Sequence, residues 1–185
     1  WRGEVTMKHL IVDVPTNELH LYPISDVQVG AAGVATEQFV AHITEAKKDP
    51  LAMFFGGGDY TDSLSPSNRK HLKAAFLRGE LYDTPESMLE EKGKEHAREF
   101  LKLVEGTEGQ WNFLLKGHHL NEYKVQNPDG THTIRTTDHD IADALGAPYL
   151  GEPGEKIGQA LISYRFPAHV AGRKRPVMRM FAFLT

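Results

Sequence analysis

"PLAMFFGGGD", residues 50–59, is a short apolar run that ends in three glycines and an aspartate. An unbroken apolar run of this length is typical of a strand that is buried on both faces, as in a parallel sheet. Glycine lets the backbone turn tightly, so Asp59 is expected directly at the carboxyl end of that strand. Because ligands of open α/β sheets bind at the carboxyl ends of the strands, this stretch predicts both a fold class and the place of a site.

The segments on either side of this strand alternate between strand and helix patterns. Apolar residues at helical spacing alternate with short apolar runs bounded by turn residues, an order that predicts an α/β domain with a partly parallel central sheet. Strands are predicted at 7–14, 19–26, 50–59, 111–117, 156–166 and 176–185, helices at 35–49, within 67–106 and at 138–146, and a turn at 127–133.

The bulk composition indicates one globular domain over residues 1–185. Cysteine is absent, which excludes disulfides and thiolate metal sites. No apolar run approaches the roughly 18 residues of a membrane span, so we expect no membrane segment and a cytoplasmic location. The chain begins at Trp1 rather than Met, and we expect it to be a piece of a longer protein.

The net charge of −4 means that the surface as a whole does not attract polyanions. "GRKR", residues 172–175, is the only tight basic cluster in the sequence. It is either a solvated loop or a local contact for nucleic acid. "GEPGEK", residues 151–156, lacks the Gly-Lys-Ser/Thr ending of a phosphate-binding loop, so no NTPase is predicted.

Three predicted strand ends carry side chains that can bind a metal ion. In an extended backbone, residues two apart point the same way, so we expect the side chains of Asp26 and Gln28 to face one ion. The three pairs, in chain order, are Asp26 and Gln28, Asp59 and Asp62, and His118 and His119.

Carboxylate, amide and imidazole ligands without sulfur suit a divalent ion such as Mn²⁺, Fe²⁺, Zn²⁺ or Mg²⁺. Two such ions roughly 3.5–4 Å apart would clamp a phosphate and lower the pKa of a bridging water. His119, beside the metal, is then placed to donate a proton to the leaving oxygen.

The order Asp-x-Gln, Gly-Asp-x-x-Asp, Gly-His-His, at intervals of about 30 and 60 residues, resembles the calcineurin-like metallophosphoesterases over residues 19–122. The resemblance implies a layered sandwich of mixed β-sheets flanked by helices, with a helical insertion at about 67–106. It also implies two divalent ions, most readily Mn²⁺, and a metal-activated water that hydrolyses a phosphate mono- or diester in a phosphoprotein, nucleotide or nucleic acid.

The resemblance also assigns roles to the six residues. Asp59 is implied as the carboxylate that bridges both ions, and His119 as the catalytic histidine. His118 stands where the family has an asparagine ligand of the second ion. Asp26 and Gln28 are implied as ligands of the first ion, and Asp62 as an outer carboxylate near the rim of the site.

The chain departs from the family pattern at two points besides His118. Gln28 stands where a histidine is usual, and an amide oxygen shifts the first site toward Mn²⁺ or Mg²⁺. No Gly-His-x-His occurs in the sequence, which therefore looks truncated at its C-terminus, and we expect the late ligands beyond Thr185. The alternative is a catalytically degenerate scaffold or binding module on the same fold.

"DHD", residues 138–140, resembles the His-Asp doublet of another class of phosphohydrolases. That class needs further histidines and aspartates on surrounding helices. The doublet here opens a predicted helix, as a capping residue does. We therefore interpret Asp138 as a helix cap.

Overall fold

The computed structural model of the chain describes residues 7–62, 78, 85–151, 159–167 and 177–183. The strands of these residues are β1 (Met7–Asp13), β2 (His20–Ile24), β3 (Ala52–Gly56), β4 (Trp111–Leu115), β5 (Glu122–Gln126), β6 (His132–Thr136), β7 (Tyr149–Leu150), β8 (Gln159–Arg165) and β9 (Val177–Phe183). Their helices are α1 (Thr36–Ala46), α2 (Pro85–Leu103) and α3 (Thr137–Leu145). The predicted α/β class is therefore confirmed.

The central sheet consists of four parallel strands in the order β2-β3-β4-β7. Strand β3 has a hydrogen-bonded neighbour on each side, which confirms the buried parallel strand predicted within 50–59. Phe54 on this strand is fully buried, and Phe55 stacks on Phe113 of β4 at 5.5 Å between ring centroids. Because all four strands run in the same direction, their carboxyl ends share one edge of the sheet.

Each face of this sheet carries its own hydrophobic core. Helices α1, α2 and α3 cover one face, where Ile43, Phe100 and Ile141 pack with Phe54. The opposite face packs against β1 and β8, through a cluster that includes Val14, Phe113, Leu115, Leu150, Ile162 and Tyr164. Burial on both faces explains why the central strands are apolar without alternation.

Strands β1 and β2 follow each other in sequence but lie in different sheets. Strand β1 pairs in parallel with β8, and β8 pairs antiparallel with β9, which makes a second sheet of order β1-β8-β9. A parallel pair needs a long crossover between its strands, and here the whole central sheet lies between them in sequence.

Strand β4 contains an irregularity just before the site. Phe54 is paired with Trp111 and Gly56 with Leu114, so β4 has one residue more than β3 over this interval. Such a bulge changes the direction of side chains and is frequent near active sites. It explains why Trp111 and Leu114, three residues apart, both belong to the core beneath the helices.

The segment after the site forms a hairpin and a helix. Only a turn was predicted at 127–133, whereas β5 and β6 pair antiparallel on either side of it. Helix α3 confirms the helix predicted at 138–146; it is followed by the C-cap residue Gly146, whose φ is 67°. Its N-cap is Thr136, whose hydroxyl accepts a hydrogen bond from the His139 amide, so the interpretation of Asp138 as the cap was wrong.

Several predicted features lie outside the described residues, among them most of the 67–84 part of the helical region and the basic cluster at 172–175. Within the described ranges, no helix combines the length and apolarity that a membrane crossing requires.

Candidate metal centre

The segments that follow β2, β3 and β4 meet at the carboxyl edge of the central sheet. The Asp26 amide donates to the Gly58 carbonyl at 3.2 Å, and the Gln28 amide donates to the Asp59 carbonyl at 3.0 Å. A Cβ atom on Gly58 would lie 3.0 Å from the Cα of Gly117, so the second and third segments also touch through their backbones. The three strand ends predicted from the sequence are therefore brought together.

Three non-glycine residues among those described have positive φ angles: Asp26 at 53°, Gln28 at 49° and Asp59 at 54°. All three are predicted metal ligands. The prediction that Asp26 and Gln28 lie in extended backbone and face one ion for that reason was wrong, because both adopt the left-handed conformation. Non-glycine residues rarely adopt this conformation, and such residues cluster at functional sites.

The Asp59 carboxylate holds the turn that follows β4. Asp59 is only 6% exposed. Its Oδ1 accepts hydrogen bonds from the amides of His118 at 2.7 Å and His119 at 3.1 Å, and its Oδ2 lies 2.8 Å from Nδ1 of His118. A buried carboxylate requires such partners, and here one side chain fixes both histidines relative to the end of β3.

Gly117 allows this close approach. A Cβ atom at Gly117 would overlap the amide nitrogen and Oδ1 of Asp59. The glycine before the histidine pair is therefore a packing requirement.

The two histidines differ in environment. The His118 side chain is 59% exposed, whereas that of His119 is 17% exposed. Nδ1 of His119 lies 3.2 Å from Oδ1 of Asp62, and the two imidazole rings are 4.3 Å apart between centroids. Because a carboxylate only accepts hydrogen bonds, Nδ1 of His119 carries the hydrogen and Nε2 is left for other chemistry.

One oxygen or nitrogen atom each from Asp59, His118 and His119 lie within 4.8 Å of one another. A carboxylate and two imidazoles fit a divalent ion of intermediate hardness, such as Mn²⁺, Fe²⁺ or Zn²⁺. In the part of the chain that the structure describes, this group does not include Asp26. The first-ion role of Asp26 and Gln28 therefore remains a prediction, supported by the placement of their backbones beside Asp59.

Asp138 is a site residue that the sequence analysis missed. It lies in the first turn of α3, is 1% exposed, and accepts a hydrogen bond from the Gly117 amide at 3.0 Å. The pKa of its carboxyl is raised to about 7, mainly by burial and also by the nearby charge of Asp59, while the Gly117 hydrogen bond and the charge of Lys116 act in the opposite direction. Position 138 continues the buried stripe of α3 at 141, 142 and 145, a spacing that could have revealed it.

The chain matches no family model, no curated protein and no solved structure. The motifs of the sequence and the geometry of this edge of the sheet are therefore the basis for inferring a function.

Proposed function

We propose that the protein is a metal-dependent phosphoesterase that resembles the calcineurin-like metallophosphoesterases. The observation that carries the proposal is the Asp59 carboxylate, which binds the amides of both histidines at the meeting point of three parallel strand ends. The layered sandwich expected of that family is compatible with the helices on one face of the central sheet and the second sheet on the other.

The residues that would hold divalent ions are Asp26, Gln28, Asp59 and His118. A divalent cation at such a site neutralises phosphate charge and lowers the pKa of a water molecule. Mn²⁺ is the ion that we favour, because an amide oxygen at Gln28 would be a poor ligand for softer ions.

His119 belongs to the same group of potential ligands, but we propose it as the general acid and not as a metal ligand. Its Nδ1 donates to Asp62, which fixes the ring and leaves Nε2 to carry the transferable proton. In the proposed hydrolysis, the oxygen of a water molecule bonds to phosphorus as the bond between phosphorus and the ester oxygen breaks. The leaving oxygen takes the proton from Nε2, the phosphate product keeps the hydroxyl of the water, and the second proton of the water is released to solvent. A proton transfer of this kind contributes roughly 10²–10⁴-fold to the rate.

The second candidate function is a scaffold or binding module without catalysis. Asp59 already accepts two hydrogen bonds from the histidine amides and lies 2.8 Å from the His118 ring nitrogen, so the turn can persist without a cation. The amide of Gln28 in place of an imidazole also favours this function. A scaffold is expected to bind no ion or one, whereas a dinuclear enzyme binds about two.

The test is hydrolysis of bis-p-nitrophenyl phosphate and p-nitrophenyl phosphate, with chelator and with added Mn²⁺. We expect turnover that depends on Mn²⁺ and is lost in Asp59→Asn. The matched control is Asp143→Asn, since that carboxylate is 69% exposed and pairs with Arg135 away from the strand ends. Absence of turnover in folded, Mn²⁺-supplemented protein would favour the scaffold.

A further inference from the structure

The turn at the end of β4 is held by two buried carboxylates. Three successive amides donate to them: that of Gly117 to Asp138, and those of His118 and His119 to Asp59. Asp59 comes from the end of β3 and Asp138 from the first turn of α3, so the turn is fixed from two separate elements.

The burial of Asp138 is unusual for a carboxylate. It is 1% exposed, and none of the ion pairs among the described residues includes it. Carboxylates are rarely buried without a cationic partner because desolvation is costly. A leucine or alanine at this position of the apolar stripe of α3 would avoid that cost. The aspartate and its hydrogen bond to Gly117 therefore indicate a role other than packing.

The backbone at Gly117 is closely surrounded by the end of β3. A Cβ atom at Gly117 would overlap the Asp59 amide nitrogen, and a Cβ atom at Gly58 would lie 3.0 Å from the Gly117 Cα. A change in the position of the Gly117 amide is therefore passed on to His118 and His119, which follow it directly.

We propose that Asp138 is a positioning residue of the metal centre, which sets the place of His118 and His119 through the hydrogen bond that it accepts from the Gly117 amide. The catalytic consequence rests on the proposed function; the positioning of the turn does not. Asp138 acts as a hydrogen-bond acceptor, so asparagine can replace it, whereas alanine and leucine cannot.

The test compares Asp138→Ala, Asp138→Leu and Asp138→Asn with the wild type. Leucine fills the space of the aspartate but offers no hydrogen-bond acceptor. The leucine variant replaces the alanine variant in the comparison if the alanine variant does not fold. Asp143→Ala is the control, because it removes a carboxylate from the same helix without touching the turn. Two quantities are measured: hydrogen exchange of the amides of 117–119 in metal-free protein, and the affinity for Mn²⁺.

We expect the alanine and leucine variants to exchange all three amides faster than the wild type, and to bind Mn²⁺ roughly 10- to 100-fold more weakly, as is usual when a group supporting a metal ligand is removed. The asparagine variant and the control should keep both properties. Unchanged exchange in the alanine and leucine variants, or equal damage in the asparagine variant, would overturn the proposal. If the wild type binds no Mn²⁺ and hydrolyses no ester, the proposed function fails, while the exchange rates still decide the role of Asp138.

Discussion

Replacement of Asp138 by asparagine should change how the stability of the protein depends on pH. The pKa of this carboxyl is about 7 in the folded protein and about 3.8 in an ordinary setting. Between these values the folded state keeps a proton that the unfolded state has released. Unfolding then releases a proton, so the free energy of unfolding of the wild type falls as the pH rises through this window.

The size of the effect follows from the shift. One pKa unit corresponds to about 1.4 kcal/mol, and the interval from pH 5 to the folded pKa of about 7 spans roughly two units. The wild type should therefore lose about 3 kcal/mol more stability than Asp138→Asn between pH 5 and pH 8. Asparagine cannot ionise, and its side-chain oxygen still accepts from the Gly117 amide.

The assay is urea denaturation of the chelator-treated proteins at pH 5 and pH 8, followed by the fluorescence of the buried Trp111. All other titrating groups are common to both proteins, so the difference between their free energies of unfolding isolates Asp138. Because the Asp59 charge raises the Asp138 pKa, the loss should be smaller in an Asp59→Asn background. The same difference in free energy of unfolding between the two proteins at both pH values would show that Asp138 does not titrate in this window.

Two further substitutions test the packing and the orientation of the site. Gly30→Ala should destabilise the protein by about 1–3 kcal/mol more than Gly33→Ala, as measured by urea denaturation. Both glycines have positive φ, but only a Cβ atom at Gly30 would overlap the His96 ring. Equal losses of stability in the two variants would show that the His96 ring moves aside. Asp62→Asn should lower kcat roughly 10- to 100-fold in the phosphodiester assay, because it removes the carboxylate that orients His119. The Mn²⁺ affinity should stay the same. An unchanged kcat would show that Asp62 has no part in the mechanism.

Local sequence patterns were enough to place the strand ends. The apolar run before Asp59 and the run before His118 are buried on both faces. Such strands are easy to recognise in a sequence because apolar and polar residues do not alternate in them. Glycines mark where each run stops. The meeting of Asp59 with the histidines follows from two neighbouring parallel strands ending at one edge.

Features that depend on distant contacts could not be predicted in this way. The pairing of β1 with β8 joins segments about 150 residues apart, and nothing in the local pattern of β1 selects that partner. The left-handed backbone at Asp26 and Gln28 arises from hydrogen bonds to the Gly58–Asp59 segment, so an argument from extended geometry failed. The burial of Asp138 depends on how α3 packs against the end of β4, so the local sequence alone favours a helix cap at this position.

The proposed function requires that Asp59 belongs to a centre that binds a divalent cation. We would test this by calorimetric titration of Mn²⁺ into chelator-treated, dialysed protein, with Asp59→Asn and the exposed-carboxylate control Asp143→Asn alongside. We expect saturable binding to the wild type and the control, and loss of that binding in Asp59→Asn. Absence of binding to the wild type, or equal affinity in all three proteins, would contradict it.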